Sequence, residues 1–297
     1  MSDSHQPTLL ITGASGHLGR RVIELLLETQ TDSTIIATTR SPEKLADFSK
    51  QGVVVRHADF DQPDTLAEAF AGAERLLLIS TDALGVPGLR INQHRNAISA
   101  AEQAGVKHVV YTSLIKPDPD SPVLLAPDHH STETALAESR VGWTVLRENL
   151  YAEVLLGSVT QAVKFGGLYN AAANGRAAYI TREDCARAAA AALASSFEGR
   201  RTLDITGPEA LSQEDVAALA SSIVGKPLNY VPLELDVLLN NMVSAGLPRP
   251  VAEIFASFDT AIAQGRFSAV TNSIEVLTGR KPISIAEFLS ANRGALA

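Results

Sequence analysis

Residues 8–19 read TLLITGASGHLG and indicate the fold of this chain more directly than any other stretch. A short apolar run ends at Gly13, and Gly16 and Gly19 follow at three-residue spacing before a helical pattern begins. This arrangement is typical of a turn that holds a dinucleotide's pyrophosphate, because glycine permits the tight turn, the close approach of the backbone and the close packing of the helix. The first N–H groups of the helix then face the anion. We therefore predict a dinucleotide-binding turn formed by Gly13, Ala14, Ser15, Gly16, His17, Leu18 and Gly19.

The composition fits a globular α/β protein and argues against several partners. The chain has 297 residues, of which 45% are hydrophobic, and its formal net charge of −8 lacks the basic excess of a nucleic-acid-binding protein. No apolar run is long enough to span a bilayer, and Met1–Gln6 is polar, without a signal-peptide core. The single cysteine, Cys185, excludes an intramolecular disulfide. The histidines show no metal-ligand spacing. We expect a cytoplasmic protein with no metal, nucleic-acid or membrane partner.

Strand and helix patterns alternate through the first half of the chain. The predicted strands are Thr8–Thr12, Ile35–Thr39, Val53–His57, Arg75–Ser80, His108–Ser113 and Thr144–Leu146. The predicted helices are Leu18–Glu28, Pro42–Lys50, Pro63–Phe70, Arg90–Ala104 and His130–Glu138. Gly105 and Gly142 follow helices, where a left-handed cap is often needed. The alternation predicts an α/β fold with a Rossmann-type, doubly wound parallel sheet whose ligand lies beyond the carboxyl ends of the strands.

The pattern becomes less regular after Tyr151. A helix at Glu183–Ser195 and a strand at Thr202–Ile205 are expected to complete the sheet. Shorter elements follow at Leu211–Val224, Leu228–Pro232, Leu235–Ala245, Val251–Ile262 and Ile283–Leu289. We therefore predict a nucleotide-binding domain at residues 1–150, and at 151–297 the remaining sheet elements with a smaller, mostly helical substrate-binding part. The segment Leu235–Pro248 is expected to line or cover the substrate, because Gly246 and Pro248 indicate a mobile connection.

Several further motifs occur in an order and spacing that resemble one family. They are ITGASGHLG, TTRSPEK, ADFDQPDTL, LLLIST, QHRNAISAAEQAGVKHVVYTSL and TVLRENLYAE, between Leu9 and Ala194. Weaker similarity continues through LPRPVAEIFASFDTAIAQGRF and LTGRKPISIAEFL. With these motifs the chain resembles the NmrA-like branch of the short-chain dehydrogenase superfamily, in particular its zinc-free, flavin-free quinone reductases and triphenylmethane reductases. The resemblance implies an NAD(P)-binding Rossmann fold and an oxidoreductase activity.

Arg40, at the end of the second predicted strand, points to NADPH as the cofactor. NAD enzymes usually carry an acidic residue at this position, which accepts hydrogen bonds from the ribose but would repel a 2′-phosphate. Arginine binds such a phosphate through two donors, and Lys44, one helical turn further on, can add a second cation. The alternative is a solvated surface pair. We predict that the chain prefers NADPH to NADH.

The resemblance assigns further cofactor contacts to the ends of the later strands. It places Asp59 and Phe60 near the adenine; the alternative role for Asp59 is to cap the helix that begins near Pro63. The remaining implied contacts, in chain order, are Ser80, Thr81, Thr112, Ser113, Leu114, Asn149 and Leu150. For these small polar residues, hydrogen bonding at the strand ends is the alternative role.

The catalytic pair of most short-chain dehydrogenases is missing. That pair is Tyr-x-x-x-Lys, in which the lysine lowers the proton affinity of the tyrosine that protonates a carbonyl oxygen. The residues four positions after the five tyrosines are Ile115, Leu155, Ala173, Glu183 and Glu234. Many NmrA-like enzymes carry a lysine on the helix near residue 130, where this chain has Thr134.

Quinone reduction tolerates these absences, because hydride transfer to an electron-poor ring requires mainly positioning and an apolar slot. Our candidates beside the nicotinamide are His129, Asn149 and Tyr151. His129 is a candidate to protonate or hydrogen-bond the developing phenolate, and Tyr151 to flank the acceptor ring or donate a hydrogen bond. The alternative role for each is to line the cleft or orient a loop.

The first hypothesis is an NADPH-dependent oxidoreductase that reduces small quinones or similar electron-poor aromatics, including azo and triphenylmethane dyes. The second is a non-catalytic NADP-binding redox sensor of the NmrA type, which the missing Tyr-Lys pair allows. A sugar-nucleotide epimerase or isoflavone-reductase-like enzyme is a third hypothesis, which the missing dyad and lysine disfavour. A homodimer is common in the superfamily, but no interface is evident from the sequence.

Overall fold

The computed structural model describes residues 6–29, 32–84 and 86–296. Most of the polar N-terminal stretch considered above therefore lies outside the described residues. The described strands are β1 (Leu9–Ile11), β2 (Ile35–Thr39), β3 (Val54–His57), β4 (Arg75–Leu78), β5 (His108–Leu114), β6 (Gly142–Glu148), β7 (Gly167–Asn170), β8 (Arg176–Ala177), β9 (Arg200–Ile205), β10 (Leu211–Ser212) and β11 (Asn229–Pro232). Short 3₁₀ helices lie at Pro42–Leu45 and Arg293–Ala295.

The α-helices are α1 (His17–Glu28), α2 (Ala46–Ser49), α3 (Pro63–Phe70), α4 (Leu89–Gln103), α5 (Ala126–Glu138), α6 (Glu153–Phe165), α7 (Arg182–Ala194), α8 (Gln213–Val224), α9 (Leu235–Ser244), α10 (Arg249–Ala263), α11 (Ser273–Thr278) and α12 (Ile285–Ala291). None of these helices combines the length and the hydropathy needed to cross a bilayer. No group of His, Cys, Asp and Glu within the described ranges is arranged to hold a metal ion.

The central sheet has seven strands in the order β3-β2-β1-β4-β5-β6-β9. The registers of β1 with β2 and β4, of β2 with β3, and of β4 with β5 are all parallel. Strand order reverses between β1 and β4, which is the point where doubly wound sheets bind their ligands. The structure therefore confirms the predicted Rossmann-type α/β fold.

The chain divides into two compact units that interleave along the sequence. Unit 1 comprises Met1–Ser113, Asp128–Arg147 and Cys185–Leu203. Unit 2 comprises Leu114–Pro127, Glu148–Asp184 and Asp204–Ala297. Thus residues 185–203 cluster with the N-terminal strands, whereas the sequence-based division falls at residue 150.

Unit 1 has its apolar core around the buried faces of β1, β4 and β5. In the same unit, the buried side chain of Arg75 links β4 to the end of α7, which lies far from β4 in the sequence. The Arg75 guanidinium donates hydrogen bonds to the carbonyl oxygens of Leu193 at 2.7 Å, Phe197 at 3.0 Å and Ala192 at 3.2 Å. These bonds satisfy carbonyl groups at the end of α7, where a helix has no intrahelical donors left. The cost of burying the arginine is thereby offset by hydrogen bonds to distant backbone.

Unit 2 is mostly helical, with two small two-stranded sheets, β10-β8 and β11-β7. Its main core cluster draws on α6, α8, α10 and α12. The connection after α9 contains Gly246 in the left-handed region, with φ of 98°. That Leu235–Pro248 covers a substrate stays a prediction.

One local prediction was wrong, one was correct in part, and one helix was not predicted. Gly105 is a left-handed cap with φ of 78°, as expected, but Gly142 has no positive φ and begins β6. A Cβ on Gly142 would lie 2.4 Å from the Glu198 carbonyl oxygen, so glycine is required there by close approach of backbone. The predicted helix Pro42–Lys50 is a 3₁₀ turn followed by α2, and no helix was predicted at α6.

Candidate cofactor and active site

The glycine turn of unit 1 has the geometry that the three glycines require. Gly13 has φ of 59°, a region that residues with a Cβ rarely adopt. A Cβ on Gly19 would lie 2.6 Å from the Gly13 carbonyl oxygen and 2.8 Å from Ala14 Cα, so α1 starts directly against the turn. Gly16 is the N-cap of α1 and supplies no capping side chain. The first N–H groups of α1 are therefore left for an anionic ligand.

Two cations follow the neighbouring strand β2. Arg40 comes directly after β2, Lys44 lies in the 3₁₀ turn, and both are exposed. Within the described residues neither side chain forms an ion pair with a carboxylate. The Ser15 and Thr39 hydroxyls, 2.8 Å apart, join the glycine turn to the end of β2. Exposed cations beside a glycine-rich turn can bind a nucleotide that carries an additional phosphate.

The loop after β3 is ordered by its own side chains and by α4. Asp59 accepts a hydrogen bond from the Asp61 backbone N–H at 3.1 Å. Asn96 donates to the Phe60 carbonyl oxygen at 2.9 Å, and Gln93 donates to the Asp61 carboxylate at 3.1 Å. The N-cap of α3 is Gln62, so Asp59 stabilises the turn before that helix. The adenine contacts of Asp59 and Phe60 stay predictions.

The ends of β4 and β5 meet through polar side chains. The Ser80 N–H donates to the Thr112 hydroxyl at 2.9 Å. The Thr81 N–H donates to His94 Nε2 at 3.0 Å, which makes this nitrogen the acceptor of a neutral imidazole. Burial lowers the pKa of His94 to about 3, with the nearby Arg90 charge acting in the same direction. His94 thus fixes the backbone of a predicted cofactor residue.

Ser113 is held by an acidic group. Its hydroxyl donates to Glu133 at 2.6 Å, and Arg147 binds the same carboxylate with two nitrogens at 2.6 and 3.0 Å. Bidentate arginine–carboxylate pairs are among the stronger and more directional hydrogen-bonded contacts. Ser113 therefore has a fixed orientation in unit 1.

His129 lies inside unit 1 rather than at a surface. Its side chain is 7% exposed. Arg90 approaches Nε2 at 3.3 Å, and because a guanidinium only donates, Nδ1 carries the proton shared with the Tyr111 hydroxyl at 2.9 Å. Burial holds the pKa of His129 well below its ordinary value, and the Arg90 charge lowers it further. His129 is thus bonded to Arg90 and Tyr111 inside unit 1, and both its role as a proton donor and the alternative of lining the cleft or orienting a loop stay predictions.

In unit 2, the residues after β6 are engaged with the protein itself. The Asn149 amide donates to the Phe267 carbonyl oxygen at 3.0 Å, and its side-chain oxygen accepts the Leu150 N–H at 2.8 Å. Tyr151 donates a short hydrogen bond to the Glu148 carboxylate, and the Arg182 guanidinium lies 5.3 Å from its ring centroid. Leu114 belongs to the buried core of unit 2. The nicotinamide contacts of these residues stay predictions.

Helix α4 carries a stripe of buried polar residues that were not among the predicted site residues. Arg90, Gln93 and His94 are all buried: Gln93 and Asn96 bond the loop after β3, His94 bonds the loop after β4, and Arg90 contacts His129 on α5. The sequence spacing indicates this stripe, because positions 90, 93 and 94 recur at the spacing of one helix face. That spacing places the three side chains on one face.

The turn after β1, the order of the sheet and the polar strand ends define a nucleotide-binding protein of the Rossmann class. The chain belongs to the NAD(P)H-binding family, whose model matches residues 13–196, and its relatives place it among the NmrA-like members. It is 36% identical to quinone oxidoreductase 2 of Escherichia coli over 95% of this chain and 97% of that protein.

The described fold matches solved structures of similar proteins. The crystal structure of NADPH-dependent quinone oxidoreductase from Escherichia coli, complexed with NADPH, superposes with a TM-score of 0.91 over 96% of this chain and 99% of that chain, at 36% identity. Triphenylmethane reductase of Citrobacter sp., complexed with NADP(H), gives 0.89 over 96% and 99%, at 33% identity. An NmrA-like family domain-containing oxidoreductase of Aspergillus flavus is 31% identical over 96% of this chain and 95% of that protein. The resemblance inferred from the motifs is confirmed.

Proposed function

We propose that this chain is an NADPH-dependent oxidoreductase that transfers hydride to quinones or to similar electron-poor aromatic acceptors. The observation that carries the proposal is the glycine turn with Arg40 exposed directly after β2 and Lys44 exposed in the following 3₁₀ turn, in a chain 36% identical to a quinone oxidoreductase. The similarity to the relatives is the reason for proposing quinones as acceptors. The two cations are the reason for proposing a preference for NADPH, which carries a 2′-phosphate, over NADH.

The residues present fit the cofactor. The space that a Cβ on Gly19 would fill is taken by the turn itself, and the uncapped start of α1 leaves backbone donors for the pyrophosphate. Arg40 and Lys44 would bind the 2′-phosphate. When bound, NADPH supplies a hydride from its reduced nicotinamide ring. The ends of β4 and β5 are held in place by His94 and by the Thr112 hydroxyl, which keeps that side of the site rigid.

The proton that completes the reduction is expected to come from water. Quinone plus hydride gives a hydroquinone monoanion, which takes up one proton. His129 is neutral and buried, and the Tyr151 hydroxyl already donates to Glu148. Turnover should therefore show no inflection at the ordinary pKa of a histidine, near about 6.5.

The test is NADPH oxidation, followed by the absorbance of the reduced nicotinamide, with a panel of benzoquinones, naphthoquinones and azo dyes, and with NADH in parallel. Quinone-dependent turnover that favours NADPH is expected. Equal or better use of NADH would remove the assignment of Arg40. Lack of turnover with every acceptor would remove the enzyme assignment.

The second candidate is an NADP-binding redox sensor without catalysis. The feature that favours it is the absence of Tyr-x-x-x-Lys, together with the engagement of His129 and Tyr151 by the protein's own groups. A sensor should bind NADP⁺ and NADPH with unequal affinity and release no product. Calorimetric titration with both forms therefore separates the two candidates.

A further inference from the structure

Arg20, on the first turns of α1, reaches across to the segment that carries the two cations. Its Nη1 donates to the Lys44 carbonyl oxygen at 2.9 Å, and its Nη2 forms a short charged hydrogen bond with the Asp47 carboxylate. The same guanidinium lies 4.6 Å from the ring centroid of Phe48, which is buried. One side chain thus makes three contacts with residues 44–48.

Residues 40–47, called here the 40–47 segment, carry the two cations and have little stability of their own. The segment contains a 3₁₀ turn of four residues and the start of the four-residue helix α2, and neither helix has a side-chain N-cap. Helices this short are marginal unless other contacts hold them. At its start, the Thr39 hydroxyl accepts the Ser41 N–H at 3.2 Å and contacts Ser15. At its end, Leu45 and Phe48 are buried, the Val53 N–H donates to the Phe48 carbonyl oxygen at 3.2 Å, and Arg20 adds the three contacts described above.

We infer that Arg20 is a positioning residue for recognition of the cofactor's 2′-phosphate, because it holds the 40–47 segment in the conformation that presents Arg40 and Lys44 together. The inference rests on the proposed function, since it concerns NADPH. A pre-ordered pair of cations binds a phosphate more tightly than a pair that must be ordered during binding. Arg20 therefore determines cofactor specificity without needing to touch the phosphate.

The Asp47 partner separates this role from a direct charge effect. Its hydrogen bond to Arg20 lowers the pKa of Asp47, so the carboxylate is ionised and balances the arginine charge. If only charge mattered, Asp47→Asn would remove a negative group near the phosphate and tighten binding. If Arg20 positions the segment, Asp47→Asn loosens it and weakens binding. The two mechanisms predict opposite signs.

The experiment measures binding of 2′,5′-ADP and 5′-AMP by calorimetry, which isolates the 2′-phosphate from catalysis. The variants are Arg20→Met, Arg20→Lys and Asp47→Asn. Arg21→Met is the matched control, since Arg21 pairs with Glu24 at 3.1 Å and Glu28 at 2.8 Å on its own helix. Steady-state constants with NADPH and NADH and melting temperatures accompany the binding data.

Arg20→Met is expected to weaken 2′,5′-ADP binding about tenfold, the cost of ordering two long side chains, and to leave 5′-AMP within about twofold. Arg20→Lys should fall between wild type and Arg20→Met, because lysine keeps the charge but not the double hydrogen bond. The KM for NADPH should rise with kcat nearly constant. Asp47→Asn should change affinity in the same direction as Arg20→Met, and Arg21→Met should resemble wild type.

Two results overturn the inference while leaving the proposed function standing. One is unchanged discrimination between 2′,5′-ADP and 5′-AMP in Arg20→Met and Asp47→Asn. The other is weaker binding in Arg20→Met with tighter binding in Asp47→Asn, which would make Arg20 a direct phosphate ligand. If wild type itself fails to discriminate between the two nucleotides, the proposed NADPH preference falls and this inference with it. If Arg20→Met does not fold, Arg20→Lys and Asp47→Asn carry the test.

Discussion

The glycine turn with its adjacent cations and the polar cluster under α4 and α5 use polar groups in opposite ways. In the first region, the start of α1, Arg40 and Lys44 are left exposed for a ligand. In the second, Arg90, His94 and His129 are buried and bonded to other protein groups. The exposed region is recognisable as a motif, whereas the buried one supports the loops around it. The backbone of the predicted cofactor residue Thr81 is thus held by the buried His94.

The largest effect should come from acid, which acts on three buried histidines of unit 1: His94 and His129 of the polar cluster, and His108 on β5. Burial lowers the pKa of His94 and of His108 to about 3, and that of His129 well below its ordinary value. The unfolded chain binds protons to these rings from about pH 6.5 downwards while the folded chain does not, so stability is complete above that pH and falls below it. Each ring contributes about 1.4 kcal/mol per pH unit, or about 4 kcal/mol per unit for the three.

Urea unfolding at about pH 7.5, 6 and 5 checks this expectation. Burial raises the pKa of Asp128 and of Asp259, which opposes the loss in part as these carboxyls take up protons in the folded state. His108→Asn should reduce the slope by about a third, because one proton no longer binds on unfolding. A free energy of unfolding that is constant over this range would contradict the neutral, buried state of the three histidines.

His129→Ala, with His130→Ala as its control, asks whether the buried region also takes part in chemistry. His129 is buried and His130, its neighbour, is exposed. Removing His129 leaves a cavity and takes one hydrogen-bond partner each from the Tyr111 hydroxyl and from Arg90, so we expect a loss of about 3 kcal/mol in unfolding free energy. His130→Ala should cost less than about 0.5 kcal/mol.

NADPH turnover per folded molecule completes that test. A lower kcat with unchanged NADPH affinity would support His129 as proton donor, as the sequence suggests. Unchanged kcat would exclude that role and leave His129 with the alternative role of lining the cleft or orienting a loop.

Gly19→Ala tests the first region, the glycine turn, by placing a Cβ against its backbone. The new Cβ would meet the Gly13 oxygen at 2.6 Å and Ala14 Cα at 2.8 Å, and both are backbone atoms that must shift. We expect a loss of about 2 kcal/mol in stability and a loss of NADPH affinity on the order of 100-fold, because the turn no longer fits the pyrophosphate.

Gly157→Ala is the matched substitution, since a Cβ there meets nothing within 4 Å on α6. It should raise stability by about 0.5 to 1 kcal/mol and leave NADPH binding unchanged. Equal melting temperatures and equal dissociation constants for the two variants would show that the close packing at Gly19 has no energetic weight.

Arg40→Ala should give the smallest effect, confined to the choice of cofactor. Loss of the phosphate ligand should lower the preference for NADPH over NADH by about 10- to 100-fold, equivalent to about 1.4 to 2.7 kcal/mol. Stability should stay within about 0.5 kcal/mol, because the side chain is exposed. Lys50→Ala, an exposed cation after α2, controls for net charge. Equal shifts in both variants would mean that Arg40 acts only through the overall field.

What the sequence predicted well were features that local rules determine. The strand β2 and the helix α3 were predicted at their observed bounds, because apolar runs and a proline at the first turn mark them. Gly13 could be assigned because a tight turn requires its φ. Gly142 could not, because its reason is the approach of residue 198 from far along the chain.

The same distinction applies to the site. Exposed groups such as Arg40 are identified by type and position, whereas the tautomer of His129 depends on its contacts with Arg90 and Tyr111, 39 and 18 residues away. Asn149 is a further case, since its partner Phe267 is separated by 118 residues. Side chains whose role is set by such distant neighbours need the structure before a role can be assigned.

The hydrogen bonds of Arg75 have a consequence for how this chain is made. The acceptors of its guanidinium lie 117 to 122 residues later, and residues 185–203 belong to the same unit as β4. Contacts between such distant residues are slow to form, because the entropy of closing a long loop is lost before the contact is gained. Until residues 192–197 have been synthesised, Arg75 has no native acceptors. During this time unit 1 cannot complete its folding. A ribosome that stalls, or a gene that is cut, at residue 150 would therefore release a fragment in which Arg75 lacks its native acceptors and unit 1 is incomplete, a natural substrate for chaperones and proteases.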